Sequence, residues 1–263
     1  MSKLMLALLS VVLLYLGGIA LLFFFQRTLI YPAPKGPQFV PGGFEQVTLN
    51  TADGLKIKAA WRAAVPGKPT VLFFHGNGDS LPGAAVATQG LARAGYGLLL
   101  ADYRGYADNP GKPTESGLVL DGRAAVAYLA EKGLEPRSLI FMGASLGSGI
   151  ATRMAAEKTP AALVLVSPFT RLPDVAATAM PWAPARLLTL DRFDSISAIG
   201  KIAAPVLVLH ARDDKVIPFR QGEELAKAAR QGTLLPFEGQ GHQLQFTETA
   251  QTATISWLQA GGL

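Results

Sequence analysis

Cysteine is absent from the 263 residues. Disulfide scaffolds, thiolate metal sites and cysteine nucleophiles are therefore closed to this chain. Histidine is scarce: His75, His210 and His242 are the three copies. Charge is sparse as well, with 16% of residues Asp, Glu, Lys or Arg against 49% hydrophobic. The net charge of +5 is mild and the basic residues are scattered. No basic helix with interleaved aromatics and no recognised module points to nucleic acid. A modest attraction to anionic lipid headgroups suits this charge better. No internal repeat or low-complexity tract is visible. The length suits one α/β domain with a sizeable core.

Part of the apolar excess is concentrated in one run. Leu4 to Phe25 contains 22 consecutive uncharged residues, mostly Leu, Val and Phe. As a helix it spans roughly 33 Å, enough for a bilayer core. A cleaved signal peptide has a shorter apolar core and a small-residue cleavage site. Gly18-Ile19-Ala20 resembles such a site, but Leu21 to Phe25 carries the apolar run past it. All-round apolarity at this length also argues against a buried soluble helix. The expected organisation is an uncleaved anchor at 1–27, a proline-rich extended connector at 28–44 and a folded domain at 45–263. Lys3 and the amino terminus oppose Arg27 and Lys35, so the positive-inside count does not choose a side of the membrane.

Beyond the connector, alternating residues flank Asp53-Gly54, a hairpin signal. Short apolar runs then alternate with helical stretches. Val71 to Phe74, Gly97 to Asp102, Ser138 to Met142, Ala162 to Ser167, Pro205 to Leu209 and Thr233 to Phe237 read as strands. Glu115 to Glu131 and Ser148 to Lys158 read as helices. The alternation predicts an α/β fold, a mostly parallel sheet with helices on both faces.

Gly143-Ala144-Ser145-Leu146-Gly147 lies between a predicted strand and a predicted helix. A serine at such a sharp turn is strained and exposed, and the glycines leave room where a Cβ would collide. Ser145 is the candidate nucleophile. Two aspartates, Asp213 and Asp214, follow the Pro205–Leu209 strand, where a carboxylate can orient a histidine. His242 lies in a glycine-rich loop after Thr233–Phe237, and it alone of the three histidines follows both Ser145 and these aspartates. It is the candidate base. His75 and His210 read as structural residues.

These residues resemble the α/β-hydrolase superfamily, whose chain order is Ser, Asp, His. More narrowly, the chain resembles membrane-anchored α/β-hydrolase domain-containing proteins. The matching stretches include Gln26-Arg27-Thr28-Leu29-Ile30-Tyr31-Pro32, Phe74-His75-Gly76-Asn77-Gly78, Asp102-Tyr103-Arg104-Gly105-Tyr106, Ser167-Pro168-Phe169-Thr170 and Asp191-Arg192-Phe193-Asp194. The resemblance implies an oxyanion hole from the backbone N–H groups of Asn77 and Leu146. Its Asp-x-Val-x-Pro pattern favours Asp214 as the acid, leaving Asp213 as a turn residue or loop brace. It also implies a small cap at 169–202, whose Phe169, Met180, Trp182 and Leu187 line an acyl pocket or pack the cap onto the core. Relatives often carry glycine and serine where this chain has Ala107 and Asn109, and glycine where it has Ala211. The implied activity is ester or thioester hydrolysis without metal or organic cofactor. A peptidase of the same fold and a catalytically silent tethered module are the alternatives. The fold does not settle the substrate.

Overall fold

The computed structural model describes residues 2–37 and 39–263. Met1, in the expected anchor segment, and Gln38, in the expected connector, lie outside the described residues. The chain begins with helix α1 (Lys3–Ile30). Then follow β1 (Glu45–Asn50), β2 (Lys56–Arg62), β3 (Thr70–Phe74), α2 (Leu81–Ala87), α3 (Gln89–Arg93) and β4 (Gly97–Ala101). The middle of the chain forms α4 (Glu115–Glu131), β5 (Leu139–Ala144), α5 (Leu146–Glu157), β6 (Ala162–Val166) and the short cap helices α6 (Leu172–Ala179), α7 (Ala185–Leu188) and α8 (Ser195–Ile199). It ends with β7 (Val206–Ala211), α9 (Phe219–Ala228), β8 (Gly232–Phe237) and α10 (Glu248–Ala260).

Among the described residues, eight strands form one sheet in the order β1-β2-β4-β3-β5-β6-β7-β8. β2 pairs antiparallel with β1 and β4, and β3 through β8 run parallel. The parallel strands are apolar on both faces because helices cover both. Leu72, Phe74, Leu99, Phe141, Leu165 and Val208 face a core shared with α4, α5 and α9. Their neighbours Val71, Phe73, Leu98, Met142, Val164 and Leu209 face a second core shared with α2, α3 and α10. The period-two alternation sends successive side chains to opposite layers.

The hairpin at Asp53-Gly54 is looser than a two-residue turn. Pairing stops at Asn50 and Lys56, leaving a five-residue loop between them. Thr51 accepts the Leu55 N–H through its hydroxyl and donates to Asp53, while Gly54 takes φ 84°. Helix α1 also departs from the expected boundary. It runs on to Ile30, three residues past the expected anchor, at roughly 42 Å. It is long and apolar enough to cross a membrane, with a mean hydropathy of 2.6 in its best window. Its last turn is docked on the domain instead of leading into a free connector. Arg27 pairs with the buried Asp191, which also accepts from the Tyr31 hydroxyl at 3.0 Å. Gln26 donates to the Leu188 carbonyl and accepts from the Leu190 N–H.

Candidate active site

The carboxyl edge of the parallel sheet gathers the loops after β3, β5, β7 and β8, the edge where open α/β sheets bind ligands. At the end of β5 the chain reverses sharply into α5. Ser145 occupies this turn with φ 48° and ψ −117°, a conformation that L side chains rarely adopt. The flanking glycines are obligatory. A Cβ on Gly143 would lie 2.3 Å from the Gly147 carbonyl oxygen, and one on Gly147 would lie 2.0 Å from that of Phe74. Strain at Ser145 is held by the surrounding backbone: its N–H donates to the Val166 carbonyl at 2.9 Å.

Ser145 Oγ is 2.9 Å from His242 Nε2. His242 Nδ1 is 2.8 Å from Asp214 Oδ2. With Nδ1 donating to the carboxylate, Nε2 is the free acceptor facing the serine hydroxyl. Asp214 is buried, which alone would raise its pKa. Hydrogen bonds from His210, His242 and the Ile217 N–H outweigh burial and hold the carboxyl well below its ordinary range. Its Oδ1 accepts the N–H groups of Val216 and Ile217 at 2.8 and 2.9 Å. The neighbouring Asp213 faces elsewhere. It accepts the Gln240 and Gly241 N–H groups, each at 3.2 Å, and so braces the loop that carries His242. Ser167 holds the same loop through a bond to the His242 carbonyl.

The other two histidines are buried away from Ser145. His210 Nε2 lies 2.9 Å from the Ile217 carbonyl and 3.2 Å from Asp214, supporting the carboxylate from behind. His75 Nδ1 lies 2.8 Å from the Gly76 carbonyl and Nε2 3.1 Å from Asp102. Both partners are acceptors, an arrangement that favours the doubly protonated ring. Burial opposes that charge, but the Asp102 carboxylate prevails and raises the imidazole pKa above its ordinary value. His75 thereby stiffens the loop that carries Asn77. Nothing beside His75 in the chain marks its partner, which comes from the Asp102-Tyr103-Arg104-Gly105-Tyr106 stretch.

Asn77 and Leu146 flank Ser145 in one cavity of about 380 Å³. Gly76 brings its loop against the serine, since a Cβ there would sit 3.5 Å from Ser145 Cβ. Phe169 and Met180 line this cavity together with Leu172, Val175, Ala176 and Ala179 of the cap. The expectation for Trp182 and Leu187 is corrected: neither reaches it. Trp182 turns onto α1, edge to face with Tyr15 at 6.5 Å, and Leu187 lies 84% exposed on α7. Leu29 and Ile30 of α1, and Val216 and Ile217 of the acid loop, complete the lining. The spacing of Leu172, Val175, Ala176 and Ala179 is that of one helix face, a legible signal. Nothing local marks Leu29 or Ile30. A second, more polar cavity of about 150 Å³ lies beside Ser145 and His242, bounded by Gly76, Asp79, Gln243 and Gln245.

Family comparisons agree with this architecture. Residues 66–193 match a model described as serine aminopeptidase, S33, and residues 189–263 one described as TAP-like protein. An uncharacterized protein of Mycobacterium tuberculosis is 40% identical over 224 residues, covering 81% of this chain and 78% of its own. The lysophosphatidylserine lipase ABHD12 of Danio rerio is 31% identical over 198 residues, 68% of this chain and 50% of that protein. Human alpha/beta hydrolase domain-containing protein 17B is 34% identical over 201 residues, 73% of this chain and 67% of that protein. Among solved structures, an esterase of Pyrococcus furiosus superposes with a TM-score of 0.70 at 19% identity, covering 89% of this chain and 99% of the esterase. With the sheet order, the strained turn after β5 and these relatives together, the chain belongs to the α/β-hydrolase superfamily and is a hydrolase.

Proposed function

We propose that this hydrolase is a membrane-anchored serine enzyme that cleaves carboxylic ester or thioester bonds through an acyl-enzyme. The observation that carries the reading is the continuous Ser145–His242–Asp214 hydrogen-bond chain on a strained turn. Ser145 Oγ attacks the carbonyl carbon and His242 Nε2 takes its proton. Asp214 keeps His242 in the useful tautomer and stabilises the imidazolium. The N–H groups of Asn77 and Leu146 receive the oxyanion, each such donor worth about 3 kcal/mol of barrier. His242 then protonates the leaving group, and a water activated by the same ring releases the acid. The apolar cavity suits an acyl chain, and the polar cavity suits an alcohol or thiol leaving group. Helix α1, as an uncleaved anchor, holds the site beside lipid.

The apolar acyl side favours an ester or thioester over a peptide. A fluorophosphonate probe, which phosphonylates activated serines, is the test in the detergent-solubilised full chain. Labelling of the wild type and its loss in Ser145→Ala supports the reading. A folded wild type that stays unlabelled and turns over no ester or thioester leaves the silent tethered module as the better account. Turnover of peptides alone moves the enzyme to the peptidase class.

A further inference from the structure

We infer that the last turn of α1 is part of the acyl-binding site, so that the helix proposed to enter the bilayer also measures the acyl chain. The inference rests on the serine-hydrolase reading above. Leu29 and Ile30 border the same cavity as Ser145 and His242. They are fixed there and not merely tethered nearby. Arg27 and Tyr31 are bonded to Asp191, and the Asn77 amide donates to the Ile30 carbonyl. The Asn77 side chain also accepts from the Tyr106 hydroxyl at 2.6 Å. One asparagine thus ties the end of α1 to the loop assigned to the oxyanion.

The volume of the cavity bounds its occupant. A space of about 150 Å³ lined by aliphatic and aromatic side chains holds a benzene molecule. The cavity of about 380 Å³ therefore admits an unbranched chain on the order of a dozen carbons. Its setting points to where that chain comes from. Met180 borders both this cavity and a narrow apolar crevice between the cap and Ile19, Leu22 and Phe23 of α1. The crevice is small, about 40 Å³, and shares Met180 with the cavity that holds Ser145. The exposed Trp182 and Leu187 continue the apolar surface of α1 on the cap. A bilayer-resident acyl chain would reach Ser145 along this seam once Met180 and the cap move aside. The class of substrate is a bilayer-resident ester or thioester with a medium-to-long straight acyl chain.

The test is the acyl-length profile of the full chain in lipid nanodiscs, with p-nitrophenyl butanoate, octanoate, dodecanoate and hexadecanoate. Three variants are compared with the wild type: Ile30→Phe, Leu29→Trp and Ala176→Trp. Ile30→Phe fills the cavity from α1, and Ala176→Trp fills it from the cap. Leu29→Trp narrows the mouth at a position that is 57% exposed and tolerates the larger ring. The expected result is a wild-type preference for dodecanoate over butanoate. In each variant the dodecanoate-to-butanoate ratio of kcat/KM should fall about tenfold or more, the scale of losing one or two methylenes from a fitted pocket. If Ala176→Trp shifts the ratio while both α1 variants leave it unchanged, α1 is only an anchor and the inference is overturned. It is equally overturned by a wild type that prefers butanoate. A wild type that neither reacts with fluorophosphonate nor hydrolyses any ester removes the serine-hydrolase reading itself, an outcome distinct from a flat profile. Presenting dodecanoate in nanodiscs and as dispersed monomer separates bilayer entry from entry through water. Equal kcat/KM in both forms overturns the lateral route.

Discussion

Single residues at the carboxyl edge hold unfavourable states that their neighbours stabilise. In the proposed mechanism Asp214 orients His242, so Asp214→Asn should lower kcat by about 10⁴ while the fold persists; steady-state kinetics beside circular dichroism checks this. Ala107 sits where relatives often have glycine, and it takes φ 47°. A left-handed alanine costs about 1–2 kcal/mol, and glycine returns about 0.4–1 kcal/mol of that through its freer unfolded chain. Ala107→Gly should thus stabilise the fold by about 0.5–1 kcal/mol, seen as a higher denaturation midpoint. Asn109, the other departure, takes the Lys58 N–H and donates to Asp102, so it helps hold the partner of His75. The folded His75 is raised from 6.5. Its ion pair contributes stability that is full below pH 6.5 and is lost as pH rises through the raised value. His75→Gln should therefore lower Tm more at about pH 6 than at about pH 9. An equal loss at both would show that the pair carries no charge-dependent stability.

Among the elements, the junction of α1 with the cap is the one with consequences for activity. Asp191, at 4% exposure, accepts from both Arg27 and Tyr31. Asp191→Ala leaves the buried Tyr31 hydroxyl without its acceptor, while the half-exposed Arg27 turns to water, and should cost about 1–3 kcal/mol. Hydrogen exchange should quicken at Gln26 to Tyr31 while β5 and α5 stay protected, because the change frees the last turn of α1 without entering the core. The strands and long helices were legible because a parallel sheet buried on both faces writes unbroken apolar runs, such as Leu98-Leu99-Leu100, between polar turns. In the cap, the one-face spacing of α6 was legible; α7 and α8, four and five residues long, are too short for a period to stand out. Met180 and Trp182, two positions apart, turn to different surfaces, the first to the cavity and the second to α1.

At the scale of the whole molecule, the cap packs along the apolar helix α1. Tyr15, about midway along the apolar run, donates to the Trp182 carbonyl at 3.1 Å. When α1 enters a bilayer, Trp182 should enter with it. Brominated lipid should quench the tryptophan fluorescence of reconstituted protein, and Trp182→Phe should remove most of that quenching. Trp61 and Trp257 belong to the opposite flanks of the sheet and its helices, against Tyr128 and within the α10 layer. Quenching that survives Trp182→Phe would place the cap outside the lipid.

The sequence by itself determined the class of fold and the candidates Ser145, His242 and the pair Asp213 and Asp214. Hydrophobic period, turn residues and chain order are local or one-dimensional properties, and each survives reading along a string. Tertiary structure decided what depends on distance. It separated Asp213 from Asp214, since adjacent residues on one turn point to different partners. It assigned His75 to Asp102, 27 positions away. It also brought Leu29 and Ile30 to the wall of the cavity that holds Ser145. An apolar residue near a membrane segment carries the same local signature whether it meets lipid, core or substrate; only the packing of α1 on the cap and Asn77 distinguishes them.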